Sequence, residues 1–191
     1  MASTLNRSLA DLGALLHLVD PTLPIGGFNH SNGLETFVQQ GVVSTKATLE
    51  EYVQTQLLQN WIYNDGAYLS LAFDAMCEGN FDRLCELDWQ LSATKVARES
   101  REGSFKLGVR LLKIFIRYET HTLLTDYQQA IAEKRVQGYF PIVFAMVAQA
   151  MGLSKADTLY AFYYNAAVGA ITNGVKLIPL SQMDWQDILF N

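Results

Sequence analysis

This 191-residue chain reads as all-α on three grounds. Apolar residues recur with a period near 3.6 along almost its whole length, while strict apolar–polar alternation is nearly absent. Capping residues stand ahead of these apolar periods, and Gly or Pro stands behind them. The stretches in between are short, without a fixed-period repeat or a low-complexity segment. The expected architecture is one compact domain over residues 1–191, built from roughly nine helices.

The first helix is expected over Ser8 to Val19, with Leu12, Leu15, Leu16 and Val19 on one face and Asp20-Pro21 as its stop. Residues 20–35 form a bend. Pro21 and Pro24 fix φ, and Gly26-Gly27 and Asn32-Gly33 supply turn geometry. Leu23, Ile25 and Phe28 are apolar, so the bend presses onto a helical body instead of floating in water. Leu34 to Gln39 reads as a short helix ended by Gly41.

Thr48 with Glu51 reads as a capping box. It opens a helix that points Leu49, Tyr52, Val53, Leu57 and Trp61 inward. Asn64-Asp65-Gly66 interrupts, and Asp65 is placed to cap the next helix, whose inner face holds Leu69, Phe73 and Met76. Asn80 caps a helix through Leu84, Leu87 and Leu91, extending toward Arg98. Gly103 and Gly108 place a boundary near Gly103. Lys106 to Tyr118 follows, with Leu107, Leu111, Ile114 and Phe115 inside.

Thr122 to Lys134 is the next helix, broken by Gln137-Gly138. Pro141 suits the first turn of a helix running to Met151. Ser154 and Asp157 box the start of a long last helix to about Asn173, with Gly174 as its C-terminal cap. Pro179 keeps Lys176 to Leu180 non-helical. Residues 175–191 are therefore expected as a non-helical exit followed by a turn or two.

Composition narrows the function. A chain this long buries roughly 70% of its unfolded surface, so it needs no disulfide or metal staple. Charged residues make up 17%, below the usual share of about 25%. Two readings account for that: burial against partners or a second copy, or a compact core with few surface charges. A net charge of −5 disfavours nucleic acid. Cys77 and Cys85 form no CxxC pair and suit a reducing cytoplasm. The longest apolar run, Phe140 to Ala148, falls short of the about 20 residues that cross a bilayer, so no membrane is expected. The N-terminus lacks the apolar core of a signal peptide.

No catalytic constellation stands out. His17, His30 and His121 have no His or Cys partner at ligand spacing, and HExxH, GxSxG and Walker A patterns are absent from the sequence. Neither a resident metal nor a cofactor is expected. The candidate residues are instead of a contact kind. Lys95 and Glu99, and Arg98 and Glu102, stand at i,i+4, either as a solvated helix face or as a polar contact site in which arginine forks suit carboxylates. His30 is either a local backbone cap or part of a displayed surface. In the last long helix, Ala161, Asn165, Ala166, Gly169 and Ala170 allow close packing, and Phe162, Tyr163 and Tyr164 beside them are candidates for an apolar interface.

The run Leu23-Pro24-Ile25-Gly26-Gly27-Phe28-Asn29-His30-Ser31-Asn32-Gly33-Leu34-Glu35 resembles the signature of the urease accessory protein UreF family. Arg98-Glu99-Ser100-Arg101-Glu102 and Gly174 through Gln182 agree with that family in order and spacing. Asn29 stands where the family more often has a small hydroxyl residue, and Ser181 where it often has Gly. The resemblance implies an all-α, homodimeric, cytoplasmic protein that is not itself a catalyst. It implies a scaffold for nickel insertion into apo-urease, which joins a UreD/UreH-type protein and a UreG-type GTPase and regulates GTP-dependent metal delivery. A tail used in partner binding continues past the Pro-Leu-x-Gln segment in many members of the family, so part of it is expected to fall outside these 191 residues. The partner-contact residues so implied are Pro24, Gly26, Gly27, Phe28, His30, Glu35, Arg98, Glu99, Arg101, Lys176, Pro179 and Gln182. Two other readings stay open: a GTPase-activating protein with Arg98 or Arg101 as its finger, and a helical scaffold unrelated to metals.

Overall fold

The computed structural model describes residues 8–26 and 33–191, all as helices and connections. The helices are α1 (Leu9–Leu18), α2 (Leu34–Gln39), α3 (Lys46–Thr55), α4 (Asp65–Cys77), α5 (Phe81–Thr94), α6 (Arg98–Phe115), α7 (Thr122–Ala132), α8 (Phe140–Ala150), α9 (Lys155–Leu177) and α10 (Gln182–Phe190). Between α3 and α4 the chain widens into a π-helical turn, Gln56–Trp61. No strand occurs among the described residues. Ten α-helices thus replace the roughly nine expected.

The body forms around α8. Pro141 to Ala148 are all buried, and a helix that is apolar all round must be enclosed on every side. α4 and α6 flank it, α5 backs onto α4, and α9 closes another side. The main apolar cluster gathers Leu69 and Phe73 of α4, Leu84, Leu87 and Leu91 of α5, and Leu111 and Phe115 of α6 around it. A smaller cluster joins Leu34, Leu49, Tyr52 and Val53 to Ile171, Ile178 and Ile188. The long helix α9 serves both, with Phe162 in the first and Ile171 in the second.

Several local expectations are corrected. In α1, Leu15 and Val19 rest on the main cluster and Leu18 is buried, but Leu12 and Leu16 face out. The cap of α3 is Thr45, which accepts the Thr48 N–H while Thr48 accepts the Thr45 N–H at 2.9 Å. The box therefore starts three residues early, and Glu51 is exposed. Asp65 does not cap α4: the N-cap is Asn64, without a side-chain bond. Asn80 caps α5 as expected.

Gly103 marks no boundary. α5 ends at Thr94, and α6 runs unbroken from Arg98 through both glycines. The reason at Gly108 is contact: a Cβ there would collide with the Gly138 carbonyl, so the missing side chain lets α6 lie against the α7–α8 loop. At the far end, Gly174 is inside α9 and packs against Leu49. The helix continues through Lys176 to Leu177, so Lys176 is helical, and only residues 178–181 lie between α9 and α10. The expected non-helical exit over 175–191 is mostly helix, because Ser181 and Asp184 form a capping box for the nine-residue α10. Lys46 ties α10 to α3 through Asp187 at 2.6 Å.

A candidate docking site at the bend

The bend is built from the end of α1. The Asp20 carboxylate accepts both the N–H and the hydroxyl of Thr22 at 2.7 Å. These bonds hold its pKa below the ordinary carboxylate value. Leu23 turns into the main cluster, and Ile25 is half-buried. The carbonyl of Ile25 accepts Nη1 of Arg110 on α6 at 3.0 Å. Gly26 follows at φ 80°, and a Cβ on it would run into the same guanidinium. Glycine is needed here twice, for left-handed backbone and for the arginine's approach. Pro24 and Glu35 are exposed. Gly27, Phe28 and His30 lie outside the described residues.

The second part is the α5–α6 joint. Lys95 leaves the helix at φ −82°, ψ 84°, so Lys95 and Glu99 are not helical neighbours. Lys95 instead reaches Asp65 on α4 at 2.7 Å, with both side chains mostly shielded. Arg101 Nη1 donates to the carbonyls of Lys95 and Val96 at 2.7 and 2.6 Å. Its guanidinium is committed to closing the joint of its own chain. Arg98 pairs with Glu102 at 2.7 Å as the spacing predicts, fully at the surface. That contact raises the Arg98 pKa, and the same contact, with help from Lys106, lowers that of Glu102.

Bend and joint meet at a groove of about 600 Å³. Leu23, Ile25, Gly33 and Glu35 line it from one side and Glu99 from α6, so it unites Glu35 and Glu99 of the expected set. Lys176 and Gln182 sit elsewhere, at a depression of about 300 Å³ with Trp185 at the α9–α10 corner. Trp185 Nε1 donates there to the Thr172 hydroxyl at 3.3 Å. Pro179 is exposed between the two helices. Phe162 is buried in the core and Tyr163 half-buried, which removes them as an interface. Tyr164 stays partly exposed, stacked on Tyr160.

Sequence reading missed two groups. Gln56, Asn60 and Asn64 line the groove as an amide ladder, and their i,i+4 spacing was the available signal. Asp88 is 1% exposed and accepts from the Tyr127 hydroxyl and from the backbone N–H groups of Gln137, Gly138 and Tyr139. An aspartate inside the Leu84, Leu87, Leu91 stripe was the clue to it. Among the described residues, no group of three or more His, Cys, Asp or Glu could hold a metal ion. No helix among them is long and apolar enough to cross a membrane.

The family model for UreF matches residues 43–191. A urease accessory protein UreF of Haemophilus influenzae (strain 86-028NP) is 96% identical over 191 residues, covering all of this chain and 81% of that protein. One of Actinobacillus pleuropneumoniae serotype 5b (strain L20) is 80% identical over 95% of this chain and 80% of its own length. One of Lachnoclostridium phytofermentans is 34% identical over 92% of this chain and 77% of its own.

Proposed function

Because the chain belongs to the UreF family of urease accessory proteins, we propose that it is a non-catalytic docking scaffold for nickel insertion into apo-urease. It joins a UreD/UreH-type protein to a UreG-type GTPase in the cytoplasm, and it works as a homodimer. Nickel is the cargo of that assembly. Transfer waits on assembly because the partners' loops become ordered only against this surface, which is how the scaffold regulates GTP-dependent delivery. The family's own signature supplies the bend, and the observation that carries the reading is its fixation: Arg110 of α6 holds the Ile25 carbonyl beside Gly26. A docking surface held in place before binding loses less entropy on association. The exposed stripe Leu9, Leu12 and Leu16 on α1 supports burial against another chain. An obligate dimer should bury more than about 2,000 Å².

The test is Gly26→Val, which expels the Arg110 fork. Unchanged helicity with loss of co-purifying accessory proteins and of urease activation supports the scaffold reading. Normal assembly and normal activation by that variant would overturn it.

A further inference from the structure

The groove beside the bend has a lining suited to one kind of partner. Asn60 Nδ2 donates to Gln56 Oε1, and Asn64 Nδ2 to Asn60 Oδ1, both at 2.9 Å. The ladder's terminal groups, the Gln56 amide N–H and the Asn64 carbonyl, have no further partner among the described residues. Such groups pair naturally with the amides of an extended backbone. Ala166, Gly169 and Ala170 of α9 also line the groove. They carry nothing beyond a Cβ, and a Cβ on Gly169 would meet nothing within 4 Å, so a main chain has room to approach.

The charge is one-sided. Asp20, Glu35 and Glu99 line the groove, and no ion pair among the described residues neutralises them. Lys95 lines it too, but Asp65 holds it at 2.7 Å and cancels its charge. Carboxylates bordering a partly enclosed groove favour an incoming cation. A nucleic acid is disfavoured by the same sign.

We infer that this groove takes an extended peptide segment of a protein partner that carries a lysine or arginine side chain. The backbone lies along the Gln56–Asn64 ladder against Gly169, and the cation meets Glu35 and Glu99. This deepens the scaffold reading and rests on it, naming the chemistry of the segment that docks.

The test reads binding by amide NMR on the full chain, not urease activation, so its failure leaves the scaffold reading standing. The probes are the capped pentapeptide Ala-Lys-Ala-Arg-Ala and its counterpart with both cations replaced by Glu. The basic peptide is expected to shift resonances of Asn60, Asn64 and Glu99, with the acidic one silent. Removing one charge contact by Glu35→Gln or Glu99→Gln should weaken binding about ten-fold. Gly169→Leu, which fills open space and leaves the fold alone, should abolish it. Equal response to both peptides, shifts away from the groove, or none at about 5 mM peptide, a Kd equivalent to only about −3 kcal/mol, overturns the inference. Groove resonances that move with protein concentration alone would also overturn it, by assigning the groove to a second copy.

Discussion

Asp88 and Tyr127 meet at 2.7 Å inside the main cluster, 1% and 0% exposed. The same carboxylate holds three successive N–H groups at the start of α8, at 2.7, 2.9 and 3.1 Å. One α5 side chain therefore fixes where the most buried helix begins. Asp88→Ala strands those donors and the Tyr127 hydroxyl in the core, and should cost roughly 3–5 kcal/mol. Tyr127→Phe removes one bond and should cost about 1 kcal/mol. Urea unfolding followed by circular dichroism measures both.

Burial pushes the Tyr127 phenol well above its ordinary pKa, and the Asp88 charge adds to this. Burial raises Tyr52 and Tyr163 as well. A group whose folded pKa is raised stabilises fully below its unfolded value and loses that contribution as pH climbs toward the folded one. Stability should therefore fall above about pH 10. Tyr127→Phe should flatten that fall. An alkaline titration of the unfolding midpoint that is unchanged by the substitution would refute the assignment.

Gly108 and Gly13 make a matched pair. A methyl on Gly108 strikes the Gly138 carbonyl, whereas one on the exposed Gly13 of α1 meets nothing within 4 Å. Gly108→Ala should destabilise by about 2–3 kcal/mol. Gly13→Ala should stabilise by roughly 0.5–1 kcal/mol, through helix propensity and a stiffer unfolded chain. Thermal melts of the two variants should move in opposite directions.

Arg101 is a joint-closing residue, with its fork on the carbonyls of Lys95 and Val96. Arg101→Met should cost about 1.5–3 kcal/mol, as for other bonds made by a charged donor. GTP turnover by a UreG-type GTPase should be the same with this variant as with the parent chain at a temperature where both are folded. A specific loss of turnover would revive the finger reading.

The sequence carried the helices well and their punctuation poorly. Asn80 and Ser154 were legible because a cap is a local bond between neighbouring residues. Gly103, Gly108 and Gly174 misled because glycine breaks a helix in isolation but serves one that another backbone or side chain presses closely. Gly108 against Gly138 and Gly174 against Leu49 are contacts between residues distant in sequence, which no local signal reports. The bend was legible from its Pro and Gly. The groove was not, since α3, α4, α6 and α9 each contribute one wall. Lys95 shows the difference: local spacing paired it with Glu99, and the fold pairs it with Asp65.

The π-helical turn has a consequence for what this chain tolerates. Its Ile62 N–H bonds the Leu57 carbonyl, five residues back. That wider loop holds one residue more than an α-helical turn needs. Deleting any residue from 56 to 61 would relax the turn to ordinary pitch, yet swing everything after it by about 100° about the axis. Trp61 would rotate out of its seat, and Asn64 would fall out of line with Asn60. The surplus residue is an angular shim, and shortening this helix should cost far more in phase than it recovers in regularity.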